Sequence, residues 1–284
     1  MRSRKRAGGR RVVLALGLIA AAVLLIHFKG FGNAVPRGGS GLAGQEPAAS
    51  DGAVSADTLQ ALEALAKTAP EIGPVLRHPE KYPARLLESL ARNPELLDFT
   101  LDYPEKKGTL ADQIDLSGEA RRGGIPLLMQ WDERWGYAPY GGGIIALDGC
   151  GPTCLSMVAV GLTGDISRNP EAVAAFSERN GYLDAKSGST LWTLMSEGAE
   201  KLGLKSAELP LDRARMAREL SEGHPIICSL RPGDFTTVGH FVVLCGYRDG
   251  AFDVRDPNSR GRSGKTWSYE TLKPQIRNLW AFSA

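Results

Sequence analysis

The sequence predicts an α+β fold, and three observations point to it. Between residues 55 and 221 the apolar residues recur at helical spacing, punctuated by Pro and Gly. From residue 225 onward they fall into short, nearly continuous runs of strand length. The composition of the 284-residue chain, 43% hydrophobic and 23% charged, is that of an ordinary globular protein. Helices first and strands later is the order of an α+β domain rather than of an alternating α/β one.

The chain begins with a basic cluster, MRSRKRAGGRR, which carries six positive side chains and no negative one. Val12–Ile26 follows without a charge and is closed by His27, Phe28 and Lys29. A basic region leading into an apolar one is an export signal. Residues 1–29 are expected to be a signal-anchor that meets the membrane through residues 12–28, or else a signal peptide. The weak match of Gly32-Asn33-Ala34 to an Ala-x-Ala cleavage site favours the anchor. Basic flanks stay on the cytoplasmic side, so the rest of the chain is expected outside the cytoplasmic membrane: held there by a single span, or secreted if the signal is cleaved. The net charge of +2 is concentrated in that flank. The remainder is mildly acidic and has no basic stripe interleaved with aromatics, which excludes a nucleic-acid partner.

Residues 30–54, rich in Gly, Ala, Ser and Pro, read as a flexible tether. Ser55 then caps a helix. Residues 55–108 read as a small helical module with an internal duplication: LEALAKTAPEIGPVLRHPEKY (62–82) aligns with LESLARNPELLDFTLDYPEKK (87–107), a period of about 25 residues. Each copy reads as a helix, a second helix led by Pro, and Pro-Glu-Lys as a stop. A packing or spacer role suits it best. Residues 109–123 read as a linker.

From Gly124 to the end the pattern is that of one α+β domain. Helices are expected from Pro152 to about Val160, from Pro170, over Thr190–Leu202 and over Leu211–Ser221. Strands are expected at Pro225–Leu230, His240–Tyr247, Phe252–Arg255 and Asn278–Phe282.

The stretch Asp148-Gly149-Cys150-Gly151-Pro152-Thr153-Cys154 carries the strongest chemical signal. Flanking glycines allow a sharp turn and close approach of a substrate. Pro152 suits the first turn of a helix, so Cys150 sits at a helix start, where the dipole favours a thiolate nucleophile. Cys154 lies four residues on, among Leu155, Met157 and Val158, and reads with Cys228 and Cys245 as a small buried hydrophobe. The four cysteines show no disulfide scaffold. No Cys-x-x-Cys or His-x-x-x-His spacing occurs, so neither a metal nor another cofactor is implied.

A cysteine nucleophile needs a base. His240 opens the strand HFVVLCGY, at the rim of a sheet. The alternatives fit worse: His27 belongs to the anchor, His78 to the helical repeat, His224 to a turn. Asp256, sixteen residues after His240, is the expected orienter of its ring, with Asn258 at the same parity in reserve. Placing 240 opposite 256 pairs 242 with 254 and 244 with 252 on one apolar face. That register needs an odd-length loop, so a three-residue bulged turn is expected around Arg248-Asp249-Gly250.

The segments IPLLMQWDERWG, LDGCGPTCLSMV, GHFVVLCGY and VRDPNSR, in this order, resemble the bacterial papain-like cysteine peptidases related to the double-glycine leader peptidases. These are family thirty-nine of the cysteine peptidases, and the closest resemblance is to its stand-alone exported branch. The resemblance covers residues 124–284. It implies a papain-like peptidase domain, peptide or protein substrates, Cys150 as nucleophile, His240 as base and Asp256 as orienter. Gln130 takes the oxyanion position, although twenty residues separate it from Cys150. Two other functions fit the same domain: a non-catalytic module that binds peptides or cell-wall peptides, and an amidase or transferase acting on peptidoglycan peptides.

Overall fold

A computed structural model of the protein describes residues 52–284, apart from 121–123 and 185. The expected anchor, and the tether up to residue 51, lie outside these residues. Among the described residues no helix is long and apolar enough to cross a membrane.

The helical segment starts where Ser55 accepts the amide of Thr58 and caps α1 (Ala56–Leu65). A 3₁₀ turn at Pro70–Ile72 leads into α2 (Gly73–Arg77), and a second at Pro79–Lys81 into α3 (Ala84–Arg92). Pro94–Leu96 makes a third before α4 (Leu97–Lys106). The two sequence copies therefore do become two helical pairs. They differ at their ends: Pro-Glu-Lys is a separate turn in the first copy but the last turn of α4 in the second, with Pro104 inside the helix. α3 is strongly two-sided. Leu86, Leu87 and Leu90 are buried on one side, and the half-buried Arg85, Glu88 and Ser89 lie with the exposed Arg92 on the other.

The core under these helices is shared with the next part of the chain. Leu62, Ile72, Val75, Leu90 and Phe99 pack in one cluster with Met129, Trp131, Tyr137, Ile144 and Ala146. Phe99 and Tyr137 stack at 4.0 Å, and the Tyr137 hydroxyl donates to the Phe99 carbonyl. Gly136 allows this approach, since a Cβ there would stand 2.7 Å from the Phe99 ring.

A two-stranded ribbon, β1 (Pro139–Tyr140) and β2 (Gly143–Ile144), leads through α5 (Ile145–Asp148) to the long buried helix α6 (Cys150–Thr163). α6 begins at Cys150, two residues before the expected Pro152. It runs through Gly161 to a left-handed Gly164, which ends it. Gly161 is inside the helix because residues 124–125 press on it: a Cβ would lie 2.9 Å from the Gly124 carbonyl oxygen. α7 (Pro170–Arg179) is capped by Asn169, as its Pro-led sequence suggests. The helix expected over Thr190–Leu202 is broken instead. Thr190 bridges Leu183, a 3₁₀ turn follows at Trp192–Leu194, and only Glu197–Lys201 is α-helical (α8).

The sheet comprises β3 (Lys205–Glu208), β4 (Ile226–Leu230), β5 (His240–Arg248), β6 (Ala251–Arg255), β7 (Thr266–Ser268) and β8 (Ile276–Ser283). Their spatial order is β3-β8-β4-β5-β6-β7, antiparallel throughout. α9 (Arg213–Ser221), capped by Asp212, enters between β3 and β4; α10 (Arg260–Ser263) and α11 (Tyr269–Leu272) flank β7. Both faces of β4 and β5 are buried, which explains their unbroken apolar sequences. Ile227, Phe241 and Val243 pack against α6. Cys228, Val242 and Leu244 pack on the opposite side with Met216 of α9 and Leu272 of α11.

The β5–β6 hairpin differs from the expected bulged turn. Asp249 and Gly250, both at positive φ, form a two-residue turn that pairs Arg248 with Ala251. The extra residue sits within the strand instead. The register shifts between Leu244 and Gly246, so Cys245 is the bulge, and Val243 pairs with Arg255. The bulge restores even parity between His240 and Asp256. If the 243–255 register continues, Asp256 falls opposite Val242 and diagonal to His240, within reach of a long side chain.

Candidate active site

Cys150, at 4% exposure, is the first residue of α6. The glycines around it are needed for close packing and not for a left-handed turn. Gly149 has φ −86° and ψ 15°, and a Cβ on it would meet the Ile145 carbonyl at 2.6 Å. A Cβ on Gly151 would meet the Thr190 side chain at 2.8 Å. Asp148, two residues before Cys150, is buried against Arg85 of α3, with Arg85 Nη2 donating to its Oδ1 at 2.5 Å. Burial raises the Asp148 carboxyl above its ordinary value, and the Arg85 guanidinium opposes that rise.

His240 is buried at the first residue of β5. Its Nε2 lies 2.8 Å from Oδ1 of Asp256, and the Cys150 thiol is close enough to favour the protonated ring. With Nε2 engaged by the carboxylate, Nδ1 is the nitrogen left for sulfur. Burial pulls the imidazole down, but the Asp256 charge, the hydrogen bond to it and the thiol prevail and push it up to about 9.

Asp256 has no exposed surface. Oδ1 also accepts the Asn258 amide, Oδ2 accepts Arg262 Nε at 2.5 Å, and its own amide donates to Ser263 Oγ at 2.8 Å. Burial alone would raise its carboxyl; His240 and Arg262 override this and hold it below the usual range. Asn258 does not bond His240: its carbonyl accepts Asn93 Nδ2 and Trp131 Nε1.

Gln130 is buried in the same place. Its backbone donates to the Pro257 carbonyl at 2.8 Å, which ties it to the Asp256 loop. Its Nε2 donates to the Ala146 carbonyl at 2.6 Å and has a second hydrogen for another acceptor.

These groups open onto a cleft of about 460 Å³. Cys150, His240 and Gln130 line it, with Asp256 behind the imidazole. The loop 233–239 forms one wall, and α3 the other through Arg85, Glu88, Ser89 and Arg92. The structure thus brings together all four site residues expected from the sequence. It adds Arg262 and Ser263 on Asp256, and Arg85 on Asp148. Ser259 could have been read as a cap, since it accepts the Arg262 amide at the start of α10. Nothing in the sequence links Arg85 to Asp148, 63 residues away.

The four cysteines are free. Cys154 is fully buried, and burial drives its thiol well above the ordinary value, as expected for a packing residue. Chemically, the cleft presents a thiol, an imidazole and a buried carboxylate in series, beside a side-chain amide.

A search of curated proteins finds no match to the chain. Among similar solved structures is a crystal structure from Bacillus anthracis described as a "putative C39-like peptidase". It is 19% identical, the match spans 57% of this chain and 96% of that one, and the TM-score is 0.34. A model of the Peptidase_C39 like family matches residues 123–282, more than half the chain, running from before the central helix α6 into the last strand β8. The chain therefore belongs to the Peptidase_C39 like family, the papain-like peptidases related to family C39.

Proposed function

We propose that the protein is a cysteine-type peptidase that hydrolyses peptide bonds outside the cytoplasmic membrane, with Cys150, His240 and Asp256 as its triad. The observation that carries this reading is the thiol–imidazole–carboxylate series, buried at the base of a cleft that has room for a peptide. His240 holds Cys150 as a thiolate, and the sulfur attacks the scissile carbonyl carbon. Gln130 and the backbone N–H of Cys150 stabilise the oxyanion. The imidazolium gives its proton to the leaving amine as the C–N bond breaks. His240 then takes a proton from water, whose oxygen displaces sulfur from the thioester and releases the acid. Asp256 keeps the imidazole oriented throughout. The basic cluster and apolar run over residues 1–29 support anchoring through 12–28, with this domain on the outer side.

Cys150→Ala in the chain from residue 52 is expected to abolish hydrolysis of a peptide library while its circular dichroism is unchanged. Cys154→Ala is expected to retain turnover. Hydrolysis by Cys150→Ala at the wild-type rate, measured after removal of contaminating activity, overturns the proposal.

A further inference from the structure

Two of the groups that hold Asp256, Arg262 Nε and Ser263 Oγ, come from α10, which is only four residues long. α10 is itself held from outside the sheet. Glu95, in the 3₁₀ turn between α3 and α4, accepts Ser259 Oγ at 2.6 Å, the Arg260 amide at 2.8 Å and the Gly261 amide at 3.1 Å. Asn93 fixes the same junction. Its Oδ1 accepts the Glu95 amide and its Nδ2 donates to the Asn258 carbonyl at 2.6 Å. Arg260 lies over the Trp131 ring at 4.3 Å, next to Gln130.

The internal duplication isolates this contact. Asn93-Pro94-Glu95 of the second copy corresponds to Ala69-Pro70-Glu71 of the first. Both copies make the 3₁₀ turn. Ala69 has no side-chain amide to donate, and Glu71 is exposed. The turn itself does not need Asn and a bonded Glu, so those two residues answer to the loop that carries Asp256.

We propose that the helical segment is a positioning element of the active site. Glu95 and Asn93 are positioning residues that fix α10, which holds Asp256 against His240. The proposal rests on the peptidase reading only in calling that pair catalytic.

The test uses the full chain, with Glu95→Ala, Glu95→Gln, Asn93→Ala, and Glu71→Ala and Ile72→Ala as controls. The first readout is the downfield proton resonance of His240 Nε2–H against Asp256, which needs no turnover. The second is the rate at which iodoacetamide alkylates Cys150, resolved by mass spectrometry. Glu95→Ala and Asn93→Ala are expected to broaden or abolish the resonance and to slow alkylation below pH 7 by about tenfold to a hundredfold, the scale of an ångström-sized misplacement. Glu95→Gln, which keeps one acceptor oxygen and folds if Glu95→Ala does not, is expected to fall between. Glu71→Ala is expected to match wild type. Ile72→Ala, which removes part of the same helical core, is expected to lower Tm and leave both readouts unmoved. Unchanged readouts in Glu95→Gln and Asn93→Ala, or an equal effect of Ile72→Ala, overturn the proposal. A resonance that responds to Glu95, in a wild-type protein whose Cys150 reacts no faster than a free thiol, overturns the peptidase reading and leaves the positioning role standing.

Discussion

His240 and Asp256 each keep a charge in the fold that burial alone would remove. His240 holds its proton up to about pH 9 against an ordinary value of 6.5, and Asp256 is held below its ordinary 3.8. Below pH 6.5 the unfolded chain carries the same imidazolium, so the contribution of the raised group is fully present there. As pH climbs from 6.5 through about 9 the unfolded chain gives up the proton first, and the contribution fades. The depressed carboxyl acts in the other direction: its contribution is present above 3.8 and is lost as pH falls through the folded value. The pair therefore stabilises the fold most between pH 3.8 and 6.5. The Tm difference between wild type and His240→Gln/Asp256→Asn, followed against pH, is expected to shrink as pH rises from 6.5 to 9. A difference that stays flat across that interval is incompatible with an ion pair in the fold.

At the level of elements, the local signals that worked were those that tertiary contacts do not override. Pro170 opens α7 as a helix-starting proline does, and the two-sided burial of β4 and β5 reads directly as apolar runs. β3 and β7 were missed because their outward residues are polar and exposed at the sheet's two edges. The break before α8 was missed because Thr190 and Leu191 answer to Leu183 and Tyr182 across a loop, not to their helical period. The hairpin shows the limit most clearly. The need for His240 and Asp256 on one parity was legible, but whether the extra residue went to the turn or to Cys245 was not. Cys150, His240, Asp256 and Gln130 were legible because each stands in a local motif. Arg85 and Glu95 reach the site from another element, and no local pattern marks such a contact. Arg85 yields a prediction at this scale. Replacing it with Met leaves the buried Asp148 carboxylate without its guanidinium partner, and a broken buried pair costs about 3–5 kcal/mol when both charges are fully desolvated. Arg85 is 28% exposed at the cleft, so the lower part of that range applies. Burial then raises the Asp148 carboxyl further above its unfolded value, so the penalty grows as pH rises and ionises it. Chemical denaturation of Arg85→Met is expected to show a larger loss at pH 8 than at pH 5. An equal loss at both pH values places the effect in packing and not in charge.

On the scale of the whole molecule, the helical segment that its sequence describes as a packing or spacer unit shares a core with the residues leading into the site. Met129, Trp131, Tyr137, Ile144 and Ala146 are buried in one cluster with Leu62, Ile72, Leu90 and Phe99. Removing residues 52–107 would return the first five of these to water. The larger ones are worth roughly 1.5–3 kcal/mol each, and a typical domain has only about 5–15 kcal/mol of net stability. The same cut removes Arg85 from Asp148 and Glu95 from α10. A fragment of residues 108–284, although it contains the whole family match, is expected to lose cooperative unfolding and to bind a hydrophobic dye, whereas residues 52–284 unfold in one transition. Calorimetry of the two fragments decides the matter. A cooperative transition for 108–284 at the Tm of the longer chain would mean that the shared cluster contributes little, and that residues 124–284 stand alone as their sequence pattern suggests.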